Sequence, residues 1–150
     1  ELYDLGCRKF GVAGLPPIGC LPFQITMKFE HDRKCVDNEN SDAEQYNRKL
    51  AQRLPQIQAM LPGSILVYTD LYYTTLNLIN HSENYGMEVT NLGCCGLGVV
   101  EVSPICNEFT PVCNDASKYV FWDALHYTEA SYLYLAKYIE AELLPIFRCT

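Results

Sequence analysis

Residues 8–17 (RKFGVAGLPP) set the architecture, together with residues 65–69 (ILVYT). The first string is a nearly continuous apolar run closed by Pro16-Pro17. A strand apolar on both sides fits a parallel sheet covered by helices on either face, whereas a half-solvated strand alternates apolar and polar. Pro16 and Pro17 stop that strand because neither can donate to a ladder. Between the two strands, Ser41-Asp42-Ala43-Glu44 has the form of a capping box. Ala43, Tyr46, Leu50, Leu54, Ile57 and Leu61 follow at intervals of three and four and predict one helical stripe. Pro55 should kink or restart this helix, and Pro62-Gly63 should end it. Asp70 stands where the second strand ends, the edge on which open α/β sheets build their sites. Residues 71–80 are predicted helical.

Working outward, residues 81–118 carry glycines, prolines and four cysteines with little periodicity, which predicts an irregular stretch that is either functional or cross-linked. Residues 119–122 (YVFW) read as a short extended segment and 123–126 as a turn. A terminal helix is expected over 127–147, with Ala130, Leu133, Leu135, Ile139 and Leu143 among its apolar positions and Pro145 at its end. The alternation predicts an α/β fold: part of a doubly wound, flavodoxin-like parallel sheet with flanking helices. Residues 1–10 (ELYDLGCRKF) read as the end of a helix passing through Gly6 into a strand. Opening in mid-element, residues 1–150 are expected to be part of a single longer domain.

The chain has 150 residues, 49% of them hydrophobic and 19% charged, so it can bury a core and is not expected to be disordered. No run approaches the roughly 20 apolar residues of a membrane span, so no stable membrane insertion is expected. A formal charge of −7 argues against a nucleic-acid partner and against an anionic membrane surface. The eight cysteines are Cys7, Cys20, Cys35, Cys94, Cys95, Cys106, Cys113 and Cys149. They sit in loops and form no CxxC pair, which suggests disulfides in an oxidising compartment rather than zinc. The expected pairs are Cys20 with Cys35, and Cys94 and Cys95 with Cys106 and Cys113 in either arrangement; Cys7 and Cys149 have no obvious partner. No metal and no cofactor is expected. Asn80-His81-Ser82 would accept a glycan if the chain is secreted.

Residues 121–129 (FWDALHYTE) carry the chemistry. Asp123 and His126 lie three apart at a strand-to-helix junction, where a turn can put both side chains on one side. The carboxylate would then accept from the imidazole, fix its tautomer and leave the second nitrogen free as a base. The plainer reading is a helix cap, with Asp123 or Thr128 satisfying free amides and His126 a half-buried ring.

This string resembles the last block of the plant GDSL-type esterase/lipase family, a branch of the SGNH hydrolases, whose pattern runs Phe-Trp-Asp-x-x-His-Pro-Thr-Glu. Three further strings are similar to that family in the same order: residues 6–22 (GCRKFGVAGLPPIGCLP), 61–72 (LPGSILVYTDLY) and 85–98 (YGMEVTNLGCCGLG). The resemblance implies an SGNH hydrolase fold, carboxylic-ester hydrolysis, His126 as general base and Asp123 as its orienting acid. It also implies secretion, to the cell wall or apoplast. Substrates would be acyl lipids or small acyl esters, cleaved through an acyl-Ser intermediate. The nucleophilic Ser and the oxyanion-hole donors belong to upstream Gly-Asp-Ser and Gly-x-Asn-Asp blocks that do not occur in this sequence. The expected partner is therefore the N-terminal half of the same domain, and the 150 residues alone are expected to be inactive. Tyr127 replaces the family's Pro after the His, Leu97 its Thr and Cys7 its Ala.

Ser41, Ser64, Ser82, Ser103, Ser117 and Ser131 are the available hydroxyls, and none lies in a Gly-x-Ser-x-Gly elbow. Ser131 is nearest to His126 in sequence, but a helical serine usually bonds its own backbone. Cys95 with His126 would make a thiol dyad, for which disulfide pairing competes. Gly93-x-x-Gly96-x-Gly98 lacks a buried strand before it, which argues against a phosphate cradle. Two functions remain: an ester hydrolase of which this chain carries the Asp-His part, and a catalytically inactive secreted module with a binding or vestigial role.

Overall fold

Lys9–Ala13 (β1) and Ile65–Thr69 (β2) are the two apolar runs, and they pair in parallel with Lys9 opposite Ile65 and Ala13 opposite Thr69. The computed structural model describes residues 1–28 and 32–148. A parallel pair cannot be joined by a tight turn, and here the crossover holds Pro22–Met27 (α1) and Asp37–Ala59 (α2). The strand register is fixed from both ends. Ile65 N donates to Arg8 O at 2.7 Å, and Gly14 N donates to Thr69 O at 3.0 Å.

The strands are less covered than expected. Phe10 and Val12 are half-buried and Lys9, Gly11 and Ala13 exposed, while β2 is half-buried up to its last residue, the buried Thr69. The physical reason is that β1 has β2 on one side and no further strand beside it among the described residues.

The crossover helix starts four residues before the predicted cap. Val36 is its N-cap, with Asp37 and Glu39 in the first turn, where carboxylates favour the positive end of the helix dipole. The start is dictated by the loop rather than by Ser41, because Cys35 is bonded to Cys20 and Val36 N donates to Gly19 O at 2.8 Å. Ser41 and Glu44 are inside the helix, and Glu44 accepts from Tyr73 Oη at 3.0 Å. Ala43 and Leu54 are buried as predicted, whereas Tyr46 is exposed. Pro55 neither breaks nor restarts the helix: it lies at an exposed position, where water can satisfy the carbonyl its ring leaves unpaired.

Asn40 and Asn47 of α2 hold the loop after β1. Asn40 Oδ1 accepts from Gly19 N at 2.8 Å. Asn47 takes Leu15 N at 2.7 Å and donates to Leu15 O at 2.8 Å. Leu71–Asn80 (α3) matches its predicted bounds and is capped by Asp70, whose side chain accepts from Tyr73 N at 3.1 Å.

The stretch expected to be irregular contains a strand. Val89–Gly93 (β3) pairs in parallel with Tyr119–Phe121 (β4), with Val89 opposite Tyr119 and Gly93 opposite Phe121. Thr90, Asn91 and Gly93 interrupt its apolar pattern, which hid it. Glu129–Arg148 (α4) runs through the exposed Pro145, which does not end it, and Leu133 is exposed rather than packed. The protein is thus α/β, with parallel strands in two small sheets flanked by helices. Leu78, Met87, Val120 and Phe121 form the core beneath β4, packed by Leu21, Ile79, Tyr127, Ala130 and Tyr134. No helix of the described residues is long and apolar enough to cross a membrane.

Candidate active site

The site grows out of the end of β4. Val120 and Phe121 are fully buried, so the chain leaves the core there and must turn back. Trp122 N donates to His126 O at 2.8 Å, Thr128 N to Val120 O at 3.0 Å, and Thr128 Oγ1 to Tyr119 O at 2.8 Å. Residues 123–126 therefore occupy a closed turn. Tyr127 holds the return leg by side-chain packing: its ring stacks on Phe121 at 5.2 Å and meets Tyr132 edge-on. Burial pushes the Tyr127 hydroxyl up to about 12, so it stays neutral at ordinary pH.

Within that turn Asp123 divides its two oxygens. Oδ1 accepts from Leu125 N and His126 N, each at 2.7 Å, the pattern by which an Asp side chain closes a turn on its own backbone. Oδ2 takes His126 Nδ1 at 2.8 Å. The capping reading and the dyad reading are therefore not rivals, because one oxygen serves each. A carboxylate offers only acceptors, so Nδ1 is the donor in this bond, and in the neutral ring Nε2 is the acceptor. The Asp123 side chain is 5% exposed and the His126 side chain 58%. The acid is thus buried and the imidazole ring is open to solvent.

Beneath the turn lies the double-cysteine loop. Cys94 N donates to Phe121 O at 3.0 Å, Cys95 N to Trp122 O at 2.8 Å, and Ala124 N to Glu101 O at 2.8 Å. Cys94 is bonded to Cys113 and Cys95 to Cys106, which selects one of the two arrangements left open, and Cys20 is bonded to Cys35 as expected. Cys95 is thus not a free thiol beside His126. Cys7 is free and exposed, and Cys149 lies outside the described residues.

The glycines of this loop serve close approach. A Cβ on Gly93 would lie 2.7 Å from the Asp123 carbonyl carbon and oxygen, so only glycine lets β3 pass beneath the turn. A strand, β3, leads into the Gly93-x-x-Gly96-x-Gly98 run, but it is half-buried up to its last residue, Gly93. The amides after it are already occupied: Leu97 N and Val99 N donate to the Glu101 carboxylate at 2.9 Å and Val100 N at 3.1 Å. The anion in this cradle is the protein's own side chain. Sequence reasoning missed Glu101 and the Gly93 contact; the one available signal was a lone acid three residues after a glycine run.

No serine completes a triad within these residues. Ser131 is fully buried and donates to Val120 O at 2.8 Å; Ser64 donates to Leu61 O and Ser117 to Asp115 Oδ1. Neither these nor Ser41, Ser82 and Ser103 bond to His126. Among the described residues no three His, Cys, Asp or Glu side chains are placed to hold a metal ion.

Comparison with known proteins fits this geometry. The sequence model of the GDSL-like lipase/acylhydrolase family matches residues 1–139. A GDSL esterase/lipase of Arabidopsis thaliana is 44% identical over 144 residues, 95% of this chain and 40% of the relative. A second from the same plant is 47% identical over 133 residues, 88% of this chain and 37% of the relative. A third is 41% identical over 138 residues, 91% of this chain and 38% of the relative. The chain spans about two fifths of the length of the curated relatives it matches.

Proposed function

Because the chain belongs to the GDSL-like lipase/acylhydrolase family, we propose that it is the C-terminal part of a carboxylic-ester hydrolase and supplies the base and orienting acid of its triad. The observation that carries this is the His126 Nδ1 to Asp123 Oδ2 hydrogen bond at 2.8 Å on an exposed ring. The nucleophile and the oxyanion donors would come from a Gly-Asp-Ser half of the same domain. His126 Nε2 would take the proton of that serine as its oxygen attacks the ester carbonyl. The imidazolium, steadied by Asp123, would then protonate the departing alcohol. Water would release the acyl group by the same route, with Nε2 again the base. Acyl lipids or small acyl esters are the proposed substrates.

The three disulfides support an extracellular setting, the cell wall or apoplast, with Asn80 as a glycan acceptor on an exposed position. One observation favours a second reading. None of the six serines is bonded to His126, so the 150 residues taken by themselves fit a catalytically inactive module. Expression of the reading frame upstream of Glu1 together with this chain separates the two. Hydrolysis of p-nitrophenyl acetate that is lost in His126→Ala supports the enzyme. Hydrolysis absent from the joined frame, or unaffected by His126→Ala, supports the module.

A further inference from the structure

Glu101 is a buried acid with no cation bonded to it among the described residues. Its charge is held instead by the amides of Leu97, Val99 and Val100. Burial alone would raise its carboxyl, but those amides outweigh burial and hold it at about 2. The group is therefore ionised at any pH well above that value.

We propose that Glu101 is a positioning residue for the Asp123–His126 pair, joining the double-cysteine loop to the catalytic turn through its carboxylate on one side and its carbonyl on the other. The inference rests on the dyad reading above and goes beyond it. The carbonyl takes Ala124 N, the amide directly after Asp123, at 2.8 Å. The carboxylate folds the loop back under the turn by a series of close approaches. A Cβ on Gly96 would lie 2.6 Å from Glu101 Cγ, one on Gly98 would lie 2.1 Å from Gly93 O, and one on Gly93 would lie 2.7 Å from the Asp123 carbonyl. Gly98 sits at φ +72°, a left-handed conformation that glycine adopts without strain. Glu101 does not touch His126, so its effect on the imidazole is through the turn.

Gln in place of Glu keeps the shape but turns one acceptor into a donor that faces amide N–H groups, so the cradle cannot be satisfied. The test is the low-field proton resonance of His126 Nδ1–H in the 150-residue chain, assigned by its loss in His126→Ala, with amide exchange at Ala124 read in parallel. Glu101→Gln should abolish or broaden the resonance and speed Ala124 exchange at least tenfold. Glu101→Asp, which keeps the charge but is too short to reach all three amides, should do the same in part. It decides the matter if the Gln variant does not fold. Leu54→Ala, a buried change in α2, serves as the control for lost stability and should leave the resonance in place. An unchanged resonance in the Glu101 variants, or equal loss in Leu54→Ala, would overturn the proposal. A parent chain without the resonance would overturn the dyad itself and this inference with it, whereas absent ester hydrolysis would leave both standing.

Discussion

Replacing Gly93 by Ala adds one methyl carbon at a point where β3 runs under the Asp123–His126 turn. That carbon would sit 2.7 Å from the Asp123 carbonyl carbon and oxygen and 2.8 Å from its Cα, whereas ordinary contact begins at 3.4 Å. All three atoms are backbone, so no side chain can swing aside. Asp123 must retreat by about 0.7 Å, or β3 must leave its register. Overpacking of this kind costs about 1–3 kcal/mol. For a chain of this size that corresponds to a melting point lower by about 3–10 °C. Retreat of Asp123 also lengthens its bond to His126 Nδ1, so the low-field resonance should shift or broaden. Gly63→Ala is the matched control. It lies at φ +75° with nothing within 4 Å, so it pays only the left-handed backbone cost of about 1–2 kcal/mol and leaves the turn untouched. Circular dichroism melts and proton spectra of both variants make the comparison. A Gly93→Ala protein that keeps both its melting point and its His126 resonance would refute the packing argument.

Asp123→Asn should leave the turn closed, because the amide oxygen can still accept from Leu125 N and His126 N, yet it presents a donor or a weaker acceptor to Nδ1. In the joined, active protein we expect kcat to fall on the order of 1,000–10,000-fold with little change in melting, checked by steady-state ester hydrolysis. Removing the Cys94–Cys113 bond by serine substitution at both positions opens a loop of sequence separation 19, which should cost about 3 kcal/mol in urea unfolding. Glu101 gives a pH signature. Its folded carboxyl lies below the ordinary carboxyl value of 4.5, so the stability it contributes is present above that value and is lost as pH falls toward 2. Melting points measured across that window should drop in the parent chain and drop less in Glu101→Gln.

Much of this was legible because local chemistry and fold agreed. The apolar runs that became β1 and β2, the helix after Asp70 and the closed turn at Asp123–His126 each follow from side chains within a few residues of one another. What escaped was set from a distance. The start of α2 obeys the Cys20–Cys35 bond and the Val36–Gly19 contact rather than the Ser41 capping pattern, and no local rule contains that information. Strand β3 is hidden because Asn91 and Gly93 serve distant neighbours: Asn91 donates to Arg33 O, and Gly93 is small for the sake of Asp123, thirty residues onward. Pro55 does not restart α2 and Pro145 does not end α4; both face solvent, a fact about packing that sequence does not carry. The chain's own anion in the glycine loop was likewise invisible, since a run of glycines signals open amides but not which acid fills them.

Fluorophosphonate labelling followed by peptide mapping bears on the triad assignment with the least intervening inference. On the protein made with its upstream frame, we expect one labelled serine in a Gly-Asp-Ser block outside residues 1–150, with labelling slowed at least a hundredfold in His126→Ala. Label on any of the six serines within these residues, or labelling indifferent to His126, would contradict it.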